Sequence, residues 1–197
     1  MNLLKNLEIS SVKNQKNIYF FLFILGFISR TIISYLYGDR GLENEWSLLV
    51  TNLYNHNTLS LLNFNGLFVP NLWMPPIYAY FIYLHSLIFG LDDNLVNYVI
   101  ISQIVISSFT SIIFYKMIKH FFSQKIAISG AIVFCLFPLI VYSASQISSA
   151  TIYLFLLLTF ILLILDLVNS NPKYSYKSLI LIGIVAGILI LTRRDFL

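Results

Sequence analysis

Two glutamates, Glu43 and Glu45, are the residues of this chain whose type and spacing best suit chemistry. They open the segment LENEWSLLVTNL, where Trp46, Leu49, Val50 and Leu53 recur at the spacing of an amphipathic helix. Two interpretations stay open. Carboxylates at a helix N-terminus stabilise the helix through its dipole, whereas a partly desolvated carboxylate facing a cleft can act as a general base.

A pair of arginines, Arg193 and Arg194, follows the last apolar segment in GILILTRRDFL. Guanidinium groups match phosphate geometry, so an arginine fork at headgroup depth would bind a lipid phosphate. The alternative explanation for this arginine pair is that the last apolar segment, residues 174–191, does not cross the membrane. The three histidines fail every useful metal-ligand spacing, so we predict no metal site. A divalent ion near the acids is chemically compatible but not required.

The composition of the chain indicates that lipid, rather than water, is its solvent. Of 197 residues, 58% are apolar and only 10% are charged, with a mean hydropathy of +0.83, whereas soluble chains carry about 25% charged residues. A soluble globular domain is excluded. The basic residues are scattered between apolar segments, which argues against nucleic acid as a partner.

Five apolar runs are long enough to cross a bilayer as helices. They cover residues 18–37, 95–115, 126–145, 148–167 and 174–191. Arg30 lies inside the first run, so it should face the bundle, snorkel to the interface or contact a polar group. Pro138 is expected to kink the third run. We treat residues 1–197 as a single transmembrane domain.

A sixth apolar segment, residues 75–90, is short for a span, at about 24 Å against a core of about 30 Å. If it crosses, five basic residues lie inside and six outside; if it lies in the interface, eight lie inside and three outside. The positive-inside rule favours the interfacial helix and a cytoplasmic N-terminus. The predicted fold is an all-α, polytopic transmembrane bundle with an outer loop (38–74) carrying juxtamembrane helices.

Taken in order, these motifs resemble the GT-C superfamily of integral-membrane glycosyltransferases, in its bacterial protein-mannosyltransferase-like and aminoarabinose-transferase-like branch. The resemblance rests on the acidic motif ending in Trp46, on Met74-Pro75-Pro76-Ile77-Tyr78 leading the interfacial helix, and on further short motifs. These are Tyr115-Lys116, Phe137-Pro138-Leu139, Tyr142-Ser143 and Leu191-Thr192-Arg193.

The resemblance implies sugar transfer from a polyprenyl-phosphate donor to a lipid, glycan or protein acceptor, on the non-cytoplasmic side of a bacterial-type inner membrane. It implies that Glu43 or Glu45 is the base and that Arg193 contacts the donor phosphate. Residues in or beside the motifs are assigned to substrate binding, namely Arg40, Trp46, Pro75, Pro76 and Tyr78.

The chain departs from this pattern where many relatives carry a glutamate at the start of the fourth span, because it has Ser148-Ser149-Ala150-Thr151 there. Such enzymes usually have more spans, so we expect this chain to be the N-terminal part of a longer enzyme. The alternative is a non-enzymatic membrane protein, a lipid-binding or carrier subunit or an inactive remnant, whose acids only cap helices.

Overall fold

The computed structural model describes residues 2–42, 44–70, 74–92, 94–169 and 176–193, with side chains from Gln15 onward except that of Asn44. The fold is predominantly helical, which confirms the predicted class. Its helices are α1 (Asn2–Tyr37), α2 (Asn44–His56), α3 (Pro76–Phe89), α4 (Leu95–Lys119), α5 (Gln124–Leu136), α6 (Pro138–Ser143), α7 (Ala150–Asn169) and α8 (Tyr176–Thr192).

Among the described residues, three helical stretches are long and apolar enough to cross a membrane: Gln15–Tyr37 in α1, all of α4 and all of α7. Helices α3, α5 and α8 are apolar but shorter. The bundle is organised around α4, which packs against α1, α5, α7 and α3, while α8 packs against α7 and α3. The end of α1, the start of α4 and the turn between α6 and α7 meet at one end of the bundle, because Asp39 bonds to Ser145 and Ile147 packs near Val96.

The third predicted span, 126–145, is divided in the structure rather than merely kinked. Helix α5 ends at Leu136, Phe137 has φ −66° and ψ 117°, and α6 starts at Pro138. Two properties of proline explain the break, since its ring disfavours helical geometry at the preceding residue and it has no N–H to donate. The segment therefore crosses this region as two helices.

The outer loop contains a β-hairpin that the sequence analysis did not anticipate. Strands β1 (Ser60–Phe64) and β2 (Leu67–Pro70) pair antiparallel through the turn Asn65-Gly66. Both turn residues have positive φ, 51° and 87°, as a type I′ turn requires, and Asn-Gly is the usual sequence for that turn. The Asn52 amide of α2 donates a 2.8 Å hydrogen bond to the Ser60 carbonyl, which anchors the hairpin to α2.

Arg30 faces the interior of the bundle and is fully buried, which satisfies one of the expectations for a charge within a span. Its Nε donates to Ser107 Oγ of α4 at 2.6 Å. Its Nη1 donates to the Gly26 carbonyl at 3.0 Å and to the Cys135 carbonyl at 3.4 Å. Arg30 therefore joins α1, α4 and α5 in the middle of the bundle.

The same contacts complete the end of α5. In a continuous helix the Cys135 carbonyl would accept the N–H of Leu139, but the break at Pro138 removes that bond. Instead the Ser29 hydroxyl donates to this carbonyl at 2.9 Å, alongside Arg30. A cation at a helix C-terminus also interacts favourably with the helix dipole. Two neighbouring residues of α1 thus stabilise the break in the third apolar segment.

Candidate functional site

The segment that follows α1 is tied to the turn between α6 and α7. The backbone N–H of Asp39 donates to the Ser145 carbonyl at 3.0 Å, and Asp39 Oδ2 accepts the N–H of Ile147 at 2.7 Å. The Gln146 amide donates to the Tyr37 carbonyl at 2.9 Å. These bonds fix a half-buried carboxylate at the end of the bundle where the outer loop begins.

Tyr78 and Gln103 connect α3 to this turn through the core. The Tyr78 hydroxyl donates to Gln103 Oε1 at 2.7 Å, and both side chains are fully buried. The Gln103 amide in turn donates to the Gln146 carbonyl at 2.8 Å and to the Ala144 carbonyl at 3.4 Å. One amide side chain of α4 thereby links α3 to the α6–α7 turn.

The Tyr78 phenol stays in its neutral form over the whole physiological range. Burial raises the pKa of Tyr78 above its ordinary value, the charge of Asp39 raises it further, and a hydrogen bond from the Ser148 backbone opposes the rise. A neutral phenol bonded to an amide cannot serve as a base. Tyr78 therefore acts as a rigid support, and the ring of Trp46 packs on it edge-on with centroids 4.8 Å apart.

Pro75 and Pro76 determine where α3 begins. Pro75 precedes the helix with φ −59° and ψ 133°, and Pro76 occupies the first helical turn, where its missing N–H costs no hydrogen bond. Both prolines are half-buried. Because Tyr78 lies two residues further on, the proline pair sets the position from which its hydroxyl reaches α4.

The predicted acids and Arg40 lie at the rim of this arrangement. Glu45 is exposed in the first turn of α2, one residue before Trp46, and Leu49, Val50 and Leu53 of the same helix are buried, which confirms the amphipathic helix. The exposed Arg40 folds back onto α1, donating to the carbonyls of Ser34 at 3.2 Å and Tyr35 at 2.7 Å. Glu43 and Arg194 lie outside the described residues.

Arg193 lies at the same end of the bundle, after the last turn of α8. Its guanidinium carbon is 5.4 Å from the ring centroid of Tyr153, in the first turn of α7. Asp39 bonds to Ile147, and Arg193 packs on Tyr153, so one short stretch, residues 147–153, contacts both the carboxylate and the guanidinium. The structure thus brings Arg193 towards the Asp39 segment and holds Arg40 against α1.

An apolar cavity of about 800 Å³ lies beside the break at Pro138. It is lined by Ser29, Ile32, Ile33 and Tyr37 of α1, and by Leu136, Pro138, Leu139, Val141 and Tyr142 on the other side. The cavity borders the candidate site, because the carbonyl of Tyr37 bonds to Gln146 of the α6–α7 turn. Its size and lining suit a hydrocarbon chain.

Three residues of this cluster received no role from the sequence. Asp39 precedes the acidic motif and was not part of it, and Gln103 is an amide, like Asn97, within the apolar segment 95–115. Such an amide is a signal, because polar side chains at membrane depth need partners. Ile147 contributes only its backbone N–H, which no residue pattern reveals. Within the described ranges, no group of three or more metal-ligating side chains comes together.

Comparison with protein families identifies residues 74–196, more than half of the chain, as matching the family described as dolichyl-phosphate-mannose-protein mannosyltransferase. The matched residues include Pro75, Pro76, Tyr78 and Arg193, whereas the acidic segment around Glu45 precedes them. Searches of curated proteins and of solved structures found no match.

Proposed function

Because the chain belongs to the dolichyl-phosphate-mannose-protein mannosyltransferase family, whose members are membrane glycosyltransferases of the GT-C type, we propose that it transfers a sugar from a polyprenyl-phosphate donor. The acceptor lies on the non-cytoplasmic side of a bacterial-type inner membrane, and the N-terminus is cytoplasmic. The acceptor class, a lipid, glycan or protein, follows from the family and not from the geometry.

The observation that supports this proposal is that residues 147–153 contact both Arg193 and Asp39, which lies in the segment leading into the acidic loop. Asp39, at the start of the acidic loop, bonds to Ile147, and Arg193 packs on Tyr153. A glycosyl transfer with a phosphate leaving group needs both kinds of group, a carboxylate for the acceptor's proton and a cation for the developing phosphate charge. The Asp39 carboxylate is itself bonded to the Ile147 N–H, and the candidate bases Glu43 and Glu45 follow it in the chain.

In this proposal a glutamate of the outer loop, Glu43 or Glu45, accepts the proton of the acceptor hydroxyl as the acceptor oxygen bonds to the sugar carbon. The bond from that carbon to the donor phosphate breaks, and Arg193 neutralises the charge left on the phosphate. One base and one displacement give inversion at the sugar carbon. Trp46, Tyr78 and the proline pair, which the family resemblance assigns to substrate binding, also hold the loop and α3 in position.

The position of the donor's isoprenoid chain depends on which arginine binds the donor phosphate. Arg193 places the chain along α7 and α8, whereas Arg40, at the end of α1, would place it in the cavity beside Pro138. We assign the phosphate to Arg193. In this assignment Arg193→Gln raises the KM for the donor strongly and Arg40→Gln has the smaller effect, measured as initial rates against donor concentration.

The base is tested by Glu43→Gln and Glu45→Gln in the complete protein, assayed with a radiolabelled polyprenyl-phosphate sugar. We expect one of the two variants to lose sugar transfer by about a hundredfold or more, the range of general-base catalysis. Asp92→Asn is the matched control, since Asp92 is also an exposed acid, in the turn between α3 and α4. Full activity in both glutamate variants would remove the assigned base.

A further inference from the structure

A second pocket, which unlike the first is polar, lies between α4 and α7 at the end of the bundle away from the candidate site. It has a volume of about 340 Å³ and is lined by Lys116, Lys119, His120, Leu162 and Asp166. The proposed transfer reaction uses none of these residues. The pocket also lies at the far end of α4 from Gln103, so it is distinct from the donor site.

The wall of the pocket is built by a bonded set of polar side chains. His120 Nε2 lies 3.0 Å from Asp166 Oδ1, and His120 Nδ1 lies 3.1 Å from the side-chain nitrogen of Asn169. With the Asn169 amide donating to Nδ1, the imidazole carries its proton on Nε2 and donates it to Asp166. The Asp166 carboxylate is therefore already bonded, and the end of α4 is tied to the end of α7.

The two lysines supply positive charge on the open side. Lys116 Nζ lies 5.3 Å from the centroid of the Tyr19 ring, and Lys119 is in the last turn of α4. Across the side chains that the structure describes, neither lysine has a carboxylate oxygen within 4.0 Å, because Asp166 is instead hydrogen-bonded to the neutral imidazole of His120. The pocket thus presents two cations beside one bonded carboxylate.

Exposed apolar side chains lie next to this charge. Leu162 forms part of the lining. Phe121 and Phe122, in the turn after α4, and Val168, near the end of α7, are 65%, 55% and 73% exposed. Lysines at a helix C-terminus are expected from the helix dipole alone. A concave basic pocket flanked by exposed aromatic and aliphatic residues needs a ligand with both a charged and a hydrocarbon part.

We propose that this pocket binds the phosphate of an anionic phospholipid headgroup, taken from the leaflet that faces away from the candidate site. Basic pockets between membrane helices recognise such headgroups, and each lysine near an anionic surface contributes about a fivefold gain in affinity. Lys116 and Lys119 contact the phosphate, and the acyl chains lie along Leu162 and the exposed apolar residues. The proposal does not depend on the transfer reaction.

Thermal unfolding of the purified chain in phosphatidylcholine nanodiscs, with increasing phosphatidylglycerol, tests this. We expect phosphatidylglycerol to raise the Tm of the wild type. The Lys116→Gln/Lys119→Gln double variant should require at least tenfold more of this lipid for the same rise. Lys125→Gln is the matched control, since Lys125 is exposed in the first turn of α5 and does not line the pocket.

Two further measurements keep the proposal falsifiable if the double variant fails to fold. Asp166→Asn removes the one carboxylate in the pocket while keeping an oxygen for His120, so it should bind phosphatidylglycerol more tightly than the wild type. Inorganic phosphate in phosphatidylcholine nanodiscs should leave the Tm unchanged. An equal response of Lys125→Gln and the double variant would overturn the proposal, as would a weaker response of Asp166→Asn. A rise with inorganic phosphate equal to that with the lipid would assign the pocket to a free anion.

Discussion

The Tyr78 hydroxyl donates a 2.7 Å hydrogen bond to Gln103 Oε1, and neither side chain is exposed. This bond joins helix α3 to α4. Since the other end of the Gln103 amide bonds to the α6–α7 turn, three parts of the candidate site depend on one buried pair. Changes at Tyr78 should therefore affect both stability and the position of the acidic loop.

Tyr78→Phe removes the hydroxyl and leaves Gln103 Oε1 buried without that donor. We expect a loss of about 1–3 kcal/mol in the free energy of unfolding, the cost of an unsatisfied buried polar atom. Reversible unfolding in detergent, followed by circular dichroism, measures the change. Tyr80→Phe is the control, because Tyr80 is 45% exposed on the same helix. Equal losses in the two variants would contradict the role given to the Tyr78–Gln103 bond.

The raised pKa of Tyr78 predicts a stability change at high pH. The folded state keeps the Tyr78 proton at a pH where the unfolded chain releases it, so the contribution of Tyr78 is complete below its ordinary value of 10.0 and falls as the pH rises above it. Above that point the wild type should lose up to about 1.4 kcal/mol per pH unit more than Tyr78→Phe. Parallel unfolding experiments at pH 9 and pH 11 give the difference, and parallel slopes would show that Tyr78 titrates normally.

Arg30→Ala should loosen the junction of α1, α4 and α5. The change removes the bonds to Ser107 and to the Cys135 carbonyl and leaves a void in a packed interior, for which we expect a loss of about 2–5 kcal/mol. It should also expose Cys135, which is fully buried in the wild type, to a membrane-permeant maleimide. Arg40→Ala provides the comparison at an exposed arginine. Unchanged protection of Cys135 in Arg30→Ala would show that the contacts of Arg30 do not hold α5 in place.

The sequence analysis predicts an interfacial position for α3, and this position determines on which side of the membrane each connection lies. In a Cys135→Ala background, Asn55→Cys at the end of α2 and Ser123→Cys before α5 should react with an impermeant maleimide from opposite sides of the membrane. Both positions are exposed in the structure. Labelling from the same side would mean that α3 crosses the bilayer, which would reverse the orientation of the helices after it.

The predictable part of the fold is the part set by local pattern. Length and apolarity predict the helices, and Leu49, Val50 and Leu53 predict the buried face of α2. The Asn65-Gly66 turn was equally readable, since two residues that tolerate positive φ stand between short apolar runs. The hairpin was nevertheless not predicted from this turn.

The candidate site was less predictable, because its contacts join residues far apart in the chain. Asp39 bonds to a backbone N–H 108 residues later, and the sequence carries no pattern for such a bond. The role of Tyr78 as a buried support depends on the ring of Trp46 and the amide of Gln103, which come from two other helices. The sequence motifs indicated which segments contribute to the candidate site, and tertiary packing determined which of their groups face each other.

The partners of Arg30 also set an order for assembly during synthesis. Ser107 lies 77 residues after Arg30, and Cys135 lies 105 residues after it. At a translation rate of about 5–20 residues per second, Ser107 of α4 is synthesised about 4–15 s after Arg30 of α1. A lone arginine at the centre of an inserted helix costs about 2.5–3.5 kcal/mol on translocon scales. During that interval the Arg30 charge is solvated by the insertion machinery or by interfacial water. Once α4 is present, Ser107 can accept a hydrogen bond from Arg30 within the bundle.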